Sequence, residues 1–336
     1  MVKKFTVTML TLLLSISLLS ACGSNGEKAS SNSGEKNSGS APKTADSKIY
    51  IPIISKGFEH QFWQSVKAGA EQAAKEFNVE ITFNGPDNES QVDKQIEILQ
   101  AALDKKPSAI GFAALDSQAS IPYLQKAKDA GIPVIAFDSG VDSDIPIATA
   151  STDNYAAAAL AADKMAELIG KEGEIGMVVH DQTSVTGAGR RDGFKERIEK
   201  EYPNIKIVDV QYGGGDHLKS TDLAKAIIQA HPNLKGIFGA NEGSAIGVVN
   251  AITELKKEGK IIVVGFDSGK PQIDAIKSGA MAGAITQNPV GIGYETVKAA
   301  VQALKGESVP SNIDTGFYWY DKSNIDSDQI KAVIYE

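Results

Sequence analysis

From residue 48 onward, short runs rich in Ile, Val and Phe alternate with amphipathic stretches of helical length, and that alternation leaves few folds open. IYIPII (49–54), VEITF (79–83), AIGF (109–112) and PVIAF (133–137) read as strands. The stretches between them, 61–77, 92–103 and 118–129, read as helices; the first repeats Phe62, Val66, Ala70, Ala73, Ala74 and Phe77 at helical spacing. Strands separated by helices of about 10–15 residues form βαβ units, which build parallel sheets because each helix returns the chain to the same end. The rhythm restarts at EIGMVV (174–179), IKIVDV (205–210), KGIFG (235–239) and IIVVGF (261–266), with helices near 188–200, 218–230, 243–256 and 271–278. An α/β fold of two doubly wound parallel-sheet lobes is expected, the chain first passing between them near 151–154. Beyond Gln287 a helix (290–304), a strand GFYWY (316–320) and a short tail exceed what one lobe needs. Two further crossings place 48–152 and 288–316 in an N-terminal lobe and 153–287 and 317–336 in a C-terminal lobe, joined by a multi-strand hinge.

Residues 1–22 stand apart from this pattern. Lys3 and Lys4 precede an apolar run, Phe5 to Leu19, that ends Leu19-Ser20-Ala21-Cys22, the form of a secretory signal peptide. The run is short for a spanning helix and carries several Thr and Ser, which favours cleavage over permanent insertion. L-S-A-C resembles the bacterial lipobox, and that resemblance implies a lipidated Cys22 at the mature N-terminus and a lipid anchor on the extracytoplasmic face of the cell membrane. Cys22 is the only cysteine of the 336-residue chain, so no disulfide is expected. Residues 23–47, mostly Ser, Gly, Asn, Lys and Glu, cannot bury enough apolar surface to order themselves and read as a tether with a reach on the order of 25–30 Å.

The formal net charge is −8 with no basic run beyond the N-terminus, which argues against nucleic-acid binding. GAGRRDG (187–193) misses the dinucleotide fingerprint, and no GxxxxGK[ST] occurs. The four histidines show no metal-ligand spacing. No cofactor, no metal and no catalytic residue is expected, although a glycoside-processing enzyme with two facing carboxylates is the competing class.

FDSG occurs twice, at the ends of PVIAFDSG (133–140) and IIVVGFDSG (261–269). Ligands of open parallel sheets bind beyond the carboxyl ends of the strands, so Asp138 and Asp267 would face one cleft from opposite lobes. The alternative is that each caps the helix after its strand. Asn241 and Gln287 also follow strands, and the mixture of carboxylates and amides suits a neutral polyol. Phe62 and Trp63 open the first helix; neighbouring helix positions do not share a face, so at least one ring is expected toward the strand ends, where an aromatic face stacks on a sugar and the indole N–H stays available for hydrogen bonding. Arg190 would donate a fork of hydrogen bonds, and His60 would bond a ligand hydroxyl or serve the helix start.

On these residues the chain from 48 onward resembles the type I periplasmic binding proteins of the ribose, galactose and allose class. The resemblance implies a substrate-binding protein of an ABC importer that captures a monosaccharide or similar polyol between its lobes, as a monomer, and delivers it to permease and ATPase subunits. It places His60, Phe62, Trp63, Asp138, Arg190, Asn241, Asp267 and Gln287 at the ligand. Ribose binders carry an arginine where this chain has Ser139, another where it has Ala188, and an aromatic near Gly215. Lys56 and the Asp138-Ser139 pair resemble positions used by autoinducer-2 binders, which makes a small signal molecule the alternative ligand; those proteins, however, have Asp-Gln where this chain has Gly187-Ala188.

Overall fold

A computed structural model describes residues 48–335; the signal segment, Cys22 and the tether lie outside the described residues. The chain builds β1 (Tyr50–Ile54), α1 (Gln61–Glu76), β2 (Glu80–Asn84), α2 (Val92–Asp104), β3 (Ile110–Phe112), α3 (Ile121–Asp129), β4 (Val134–Phe137) and β5 (Ala148–Ser151). It continues with α4 (Asn154–Ile169), β6 (Gly173–Val179), α5 (Val185–Glu201), β7 (Ile205–Tyr212), α6 (His217–Ala230), β8 (Leu234–Gly239), α7 (Glu242–Glu254), β9 (Ile262–Phe266), α8 (Lys270–Ser278) and β10 (Gly283–Gln287). Then follow α9 (Pro289–Leu304), β11 (Asn312–Asp314), β12 (Phe317–Asp321) and α10 (Asp328–Lys331).

Two six-stranded sheets result, ordered β11-β5-β4-β3-β1-β2 and β12-β10-β9-β8-β6-β7. Every pairing is parallel except β12 against β10. The chain therefore changes sheet three times, after β5, after β10 and after β11. Strands buried on both faces carry the continuous apolar runs seen in the sequence, such as Ile51, Ile53 and Ile54 in β1 and Val263, Val264 and Phe266 in β9.

After the second crossing α9 returns to the first sheet, where it lies against α1 with almost no side chain between them. A Cβ on Gly69 would fall 1.9 Å from the Val290 carbonyl oxygen, and one on Gly293 would fall 1.9 Å from that of Val66. In the second sheet, α4 and α5 are equally close, since a Cβ on Gly193 would meet the Tyr155 carbonyl at 2.3 Å. Helix α4 was not expected from the rhythm of the sequence. Asp153 starts it by accepting from the Ala156 N–H, and Gly170, in the left-handed region at φ 80°, ends it.

Among the described residues no helix is long and apolar enough to cross a membrane.

Candidate functional site

The carboxyl ends of the two sheets face each other across one small cavity of about 10 Å³. That is room for little more than a single water, so the lobes are nearly closed on one another here. The first sheet contributes Lys56 after β1, Phe62 and Trp63 from the first turn of α1 with His60 just before it, Glu89 ahead of α2, and Asp138 after β4. The second contributes His180 after β6, Thr186 and Arg190 from α5, Asn241 after β8, Asp267 after β9 and Gln287 at the end of β10. All twelve are buried, the most exposed being Glu89 at 8%.

The two FDSG segments are built alike. Asp138 and Asp267 both adopt positive φ, 54° and 79°, a conformation uncommon for a residue other than glycine. No helix follows Asp138, and α8 after Asp267 has Gly269 as its N-cap, so neither aspartate caps the helix after its own strand. Their carboxylates differ in commitment. Asp267 Oδ1 accepts from Gln287 Nε2 at 2.7 Å and Oδ2 from the Glu242 backbone N–H at 2.8 Å, with Arg190 at 3.9 Å. For the Asp138 carboxylate the nearest charged partner is the Lys56 ammonium at 4.0 Å, and among the described residues none donates a hydrogen bond to it. Burial raises its pKa to about 6 despite the pull of Lys56 and Arg190.

The remaining polar groups are oriented by partners outside the cavity. Asn241 is the N-cap of α7 and uses Oδ1 on the Ser244 N–H at 2.9 Å, which turns its amide N–H₂ the other way. Gln287 spends its amide N–H₂ on Asp267, which leaves Oε1 without a protein partner. Arg190 donates Nε to Asn154 Oδ1 at 2.8 Å and an amino group to the Ala240 carbonyl at 2.9 Å, and its guanidinium lies 3.8 Å from the Phe266 ring centre. Lys56 donates to Thr186 Oγ1 at 3.0 Å, a bond between the two sheets' sides of the cleft.

His180 is held in one tautomer. Burial lowers its pKa, and Lys56 and Arg190 lower it further against the opposing pull of Asp181, so the ring carries one proton. The Ser184 hydroxyl gives its proton to Asp181 Oδ2 at 2.7 Å, so Thr186, 3.1 Å away, donates to Ser184. Thr186 then accepts from His180 Nε2 at 3.2 Å, and His180 Nδ1 is left as a buried acceptor without a protein partner.

Glu89 lies where Trp63 Nε1 donates to its Oε1 at 2.7 Å and His60 Nδ1 stands 3.3 Å away. Burial pushes its pKa up, but Lys56 and His60 prevail and hold it well below the usual carboxylate range. Its Oε2 has no protein partner. His60 itself is disfavoured as a cation by burial, yet Glu89, Glu242 and the Gly215 carbonyl raise its pKa to about 9.

Nine of the ten residues expected at the ligand border this cavity, and Ser139 does not. The positive φ of Asp138 turns the chain so that Ser139 is fully buried away from the cavity, its carbonyl accepting from the Ala114 N–H at 2.8 Å. His60 borders the cavity but both ring nitrogens are engaged, Nδ1 by Glu89 and Nε2 by the Gly215 carbonyl at 3.0 Å, so the expected bond to a ligand hydroxyl is replaced by a bond across the cleft. The Trp63 N–H likewise goes to Glu89 rather than staying available. Phe62 and Trp63 both reach the cavity, packed edge to face at 4.9 Å, while also closing the core of the first sheet. Gly215, where ribose binders have an aromatic nearby, has φ 75°, and a Cβ there would meet Glu89 Oε2 at 3.2 Å.

The sequence reading missed Glu89, His180 and Thr186. His180 follows the run MVV as Asp138 follows VIAF, so the strand-end rule that selected the aspartates also selects it.

A two-lobed α/β protein with a small cavity between the carboxyl ends of two parallel sheets is a solute-binding protein of type I architecture. The chain belongs to the periplasmic binding protein domain family, whose model matches residues 51–308. It is 30% identical over 267 residues to the D-allose-binding periplasmic protein of Escherichia coli, covering 77% of this chain and 86% of that one. It is 30% identical over 258 residues to the D-apiose import binding protein of Actinobacillus succinogenes, covering 76% and 81%. Among solved structures it resembles a carbohydrate transporter solute-binding protein of Agrobacterium radiobacter in complex with D-arabinose, at 33% identity and TM-score 0.84, covering 87% of this chain and all of that one. An ABC transporter solute-binding protein of Agrobacterium vitis bound with α-D-tagatopyranose superposes with TM-score 0.83 at 32% identity, covering 86% and 100%.

Proposed function

We propose that this chain is the lipid-anchored binding subunit of an ABC sugar importer, that it captures a neutral monosaccharide or similar polyol in the cavity, and that it passes the ligand to the permease without chemical change. One observation carries the reading. Glu89 Oε2, His180 Nδ1 and Gln287 Oε1 are buried acceptors with no protein partner around one small cavity, and each such group costs about 1–3 kcal/mol unless a donor meets it. A ligand that satisfies them donates at least three hydrogen bonds from a compact body, which is what adjacent hydroxyls on a ring supply.

Charge narrows the choice further. Lys56, His60 and Arg190 stand against Glu89, Asp138 and Asp267, so the lining has no net charge to attract an acid or a phosphate ester. Phe62 and Trp63 offer apolar surface to the C–H face of a sugar ring. The named relatives and the complexes with D-arabinose and D-tagatose support the same ligand class. Hydrolysis is disfavoured because both oxygens of Asp267 are engaged by protein donors, which leaves Asp138 and Asp267 poorly suited to serve as a paired acid and nucleophile.

A thermal-shift screen of aldopentoses, aldohexoses, ketohexoses, inositols, sugar acids, sugar phosphates and autoinducer-2 tests the ligand. A neutral sugar at about 100 times its Kd should stabilise by about 2.7 kcal/mol, and a best response from a phosphate or an acid overturns the reading. The anchor rests on the L-S-A-C sequence at Cys22. Cys22→Ser should shift the protein from the membrane fraction to the soluble one, and retention would assign the anchoring to the apolar segment instead.

A further inference from the structure

Two helix N-termini on opposite sides of the cleft are each capped by a side chain from the other side. Helix α1 begins after His60, whose side chain makes no capping bond. Its first two N–H groups are taken instead by one carboxylate from α7: Gln61 N–H donates to Glu242 Oε1 at 3.1 Å and Phe62 N–H to Glu242 Oε2 at 3.2 Å. In return Gln61 Oε1 accepts the Lys270 N–H, the first of α8, at 2.7 Å. The N-cap of α8 is Gly269, which has no side chain to offer, and a Cβ there would fall 2.9 Å from Gln61 Oε1 and 3.0 Å from the Glu242 carboxylate. Beside this exchange the lobes are also close, since a Cβ on Gly243 would fall 2.9 Å from His60 Nε2.

A helix N-terminus carries unpaired N–H groups and a partial positive charge, which favour a carboxylate placed there; for Glu242 burial raises the pKa to about 7, and the Gln61 and Phe62 N–H groups oppose that shift. Here that contact exists only while the two lobes are together. Glu242 is 3% exposed and its own N–H is fixed by Asp267, so α7 presents the carboxylate rigidly. Neither Glu242 nor Gln61 borders the cavity.

We infer that Glu242 and Gln61 are positioning residues that set the balance between open and closed lobes, and through it the affinity for every ligand, without touching any. This rests on the proposed capture of a sugar by lobe closure, but the exchange of caps acts on the protein itself. A ligand's apparent affinity is reduced by the fraction of protein competent to hold it, so weakening closure weakens all ligands by one factor.

The test pairs two measurements on Glu242→Ala, Glu242→Gln and Gln61→Ala. The first needs no sugar: spin labels placed through K94C and K277C in a C22S background report the interlobe distance distribution. Glu242→Ala should shift it toward longer distances, Gln61→Ala should do so less, and Glu242→Gln, which keeps one acceptor oxygen, should lie between. The second is calorimetry with two sugars from the screen. Glu242→Ala should weaken both by the same factor, about three- to thirtyfold, with faster dissociation and unchanged ranking. An unchanged distance distribution overturns the inference, and so does a changed ranking, which would make Glu242 a ligand contact. If no sugar binds the parent protein while the distances still shift, the cap exchange stands and the ligand assignment fails.

Discussion

Asp138 and Asp267 occupy the same place in two copies of one motif, yet they carry different burdens. Asp267 ties Gln287 to the start of α7, whereas the Asp138 carboxylate is buried without a hydrogen bond from the described residues. A buried anion in that condition is costly, as its raised pKa of about 6 records, and a ligand hydroxyl is the partner that would relieve it. Asp138→Asn should therefore lose roughly ten- to hundredfold or more in affinity while the melting temperature without sugar holds or rises. Asn tolerates the left-handed backbone at this position, so the comparison is not clouded by strain. Asp267→Asn should lose affinity and melt earlier, because one amide cannot accept from both Gln287 and the Glu242 N–H through two oxygens. Calorimetry and melting curves on the two variants separate these outcomes, and equal behaviour of the pair would show that the cavity treats them alike. The repetition of FDSG made both aspartates legible, but not their inequality, which depends on Gln287 and Glu242 arriving from elsewhere in the chain. Glu89 was illegible for a related reason. In DNESQ it looks like a solvated loop carboxylate, and the Lys56 ammonium after β1, with the indole N–H of Trp63 and the His60 ring brought up by α1, makes burial tolerable.

At the scale of elements, the strands that fill the middle of each sheet announce themselves because burial on both faces demands an uninterrupted apolar run. The elements at the margins obey weaker demands and leave weaker marks. Strand β5, ATAS, and β11, NID, contain one β-branched residue each, and they pair with each other at the edge, where one face and one side are less constrained. Helix α4 escapes the amphipathic pattern because its sequence, NYAAAALAADKMAELI, buries Ala157, Ala158, Ala161, Ala162, Met165 and Ala166 against α5 and the second sheet. Small side chains are what a close helix pair requires, so composition there reports distance between helices rather than polarity. The same logic explains Gly69 and Gly293 between α1 and α9, each facing the other helix's backbone. That contact lies further along α1 than its first turn, which carries Phe62 and Trp63 into the cavity and offers its N–H groups to Glu242.

In the molecule as a whole, protonation and the meeting of the two sheets are linked through His60. Its imidazolium touches Glu89 on its own side and the Gly215 carbonyl on the other, faces Glu242 and Glu59, and stacks on the His217 ring at 5.6 Å, whose own pKa burial lowers. A histidine raised to about 9 from 6.5 contributes stability in full below about pH 6.5 and loses it as pH rises through 9. Asp138 and Glu242, raised by burial to about 6 and about 7, act in the same direction at lower pH, since the folded chain holds their protons longer than the unfolded one. His180 and His217 oppose them there: both are lowered, so their contribution is present above about pH 6.5 and fades as pH falls below it. The two sets oppose one another between pH 5 and 7, and above pH 7 the His60 contribution is the one that declines. The melting temperature of the protein without sugar should fall from pH 7 to 9. The loss is on the order of 3 kcal/mol, or roughly 5 °C for a chain of this size. His60→Gln should melt earlier at pH 7 and show little further decline to pH 9, because the group that titrates in that window is gone. Differential scanning calorimetry across the range decides it: a level profile in the parent protein, or the same decline in His60→Gln, would place the titrating group elsewhere and remove His60 from the contact between the lobes.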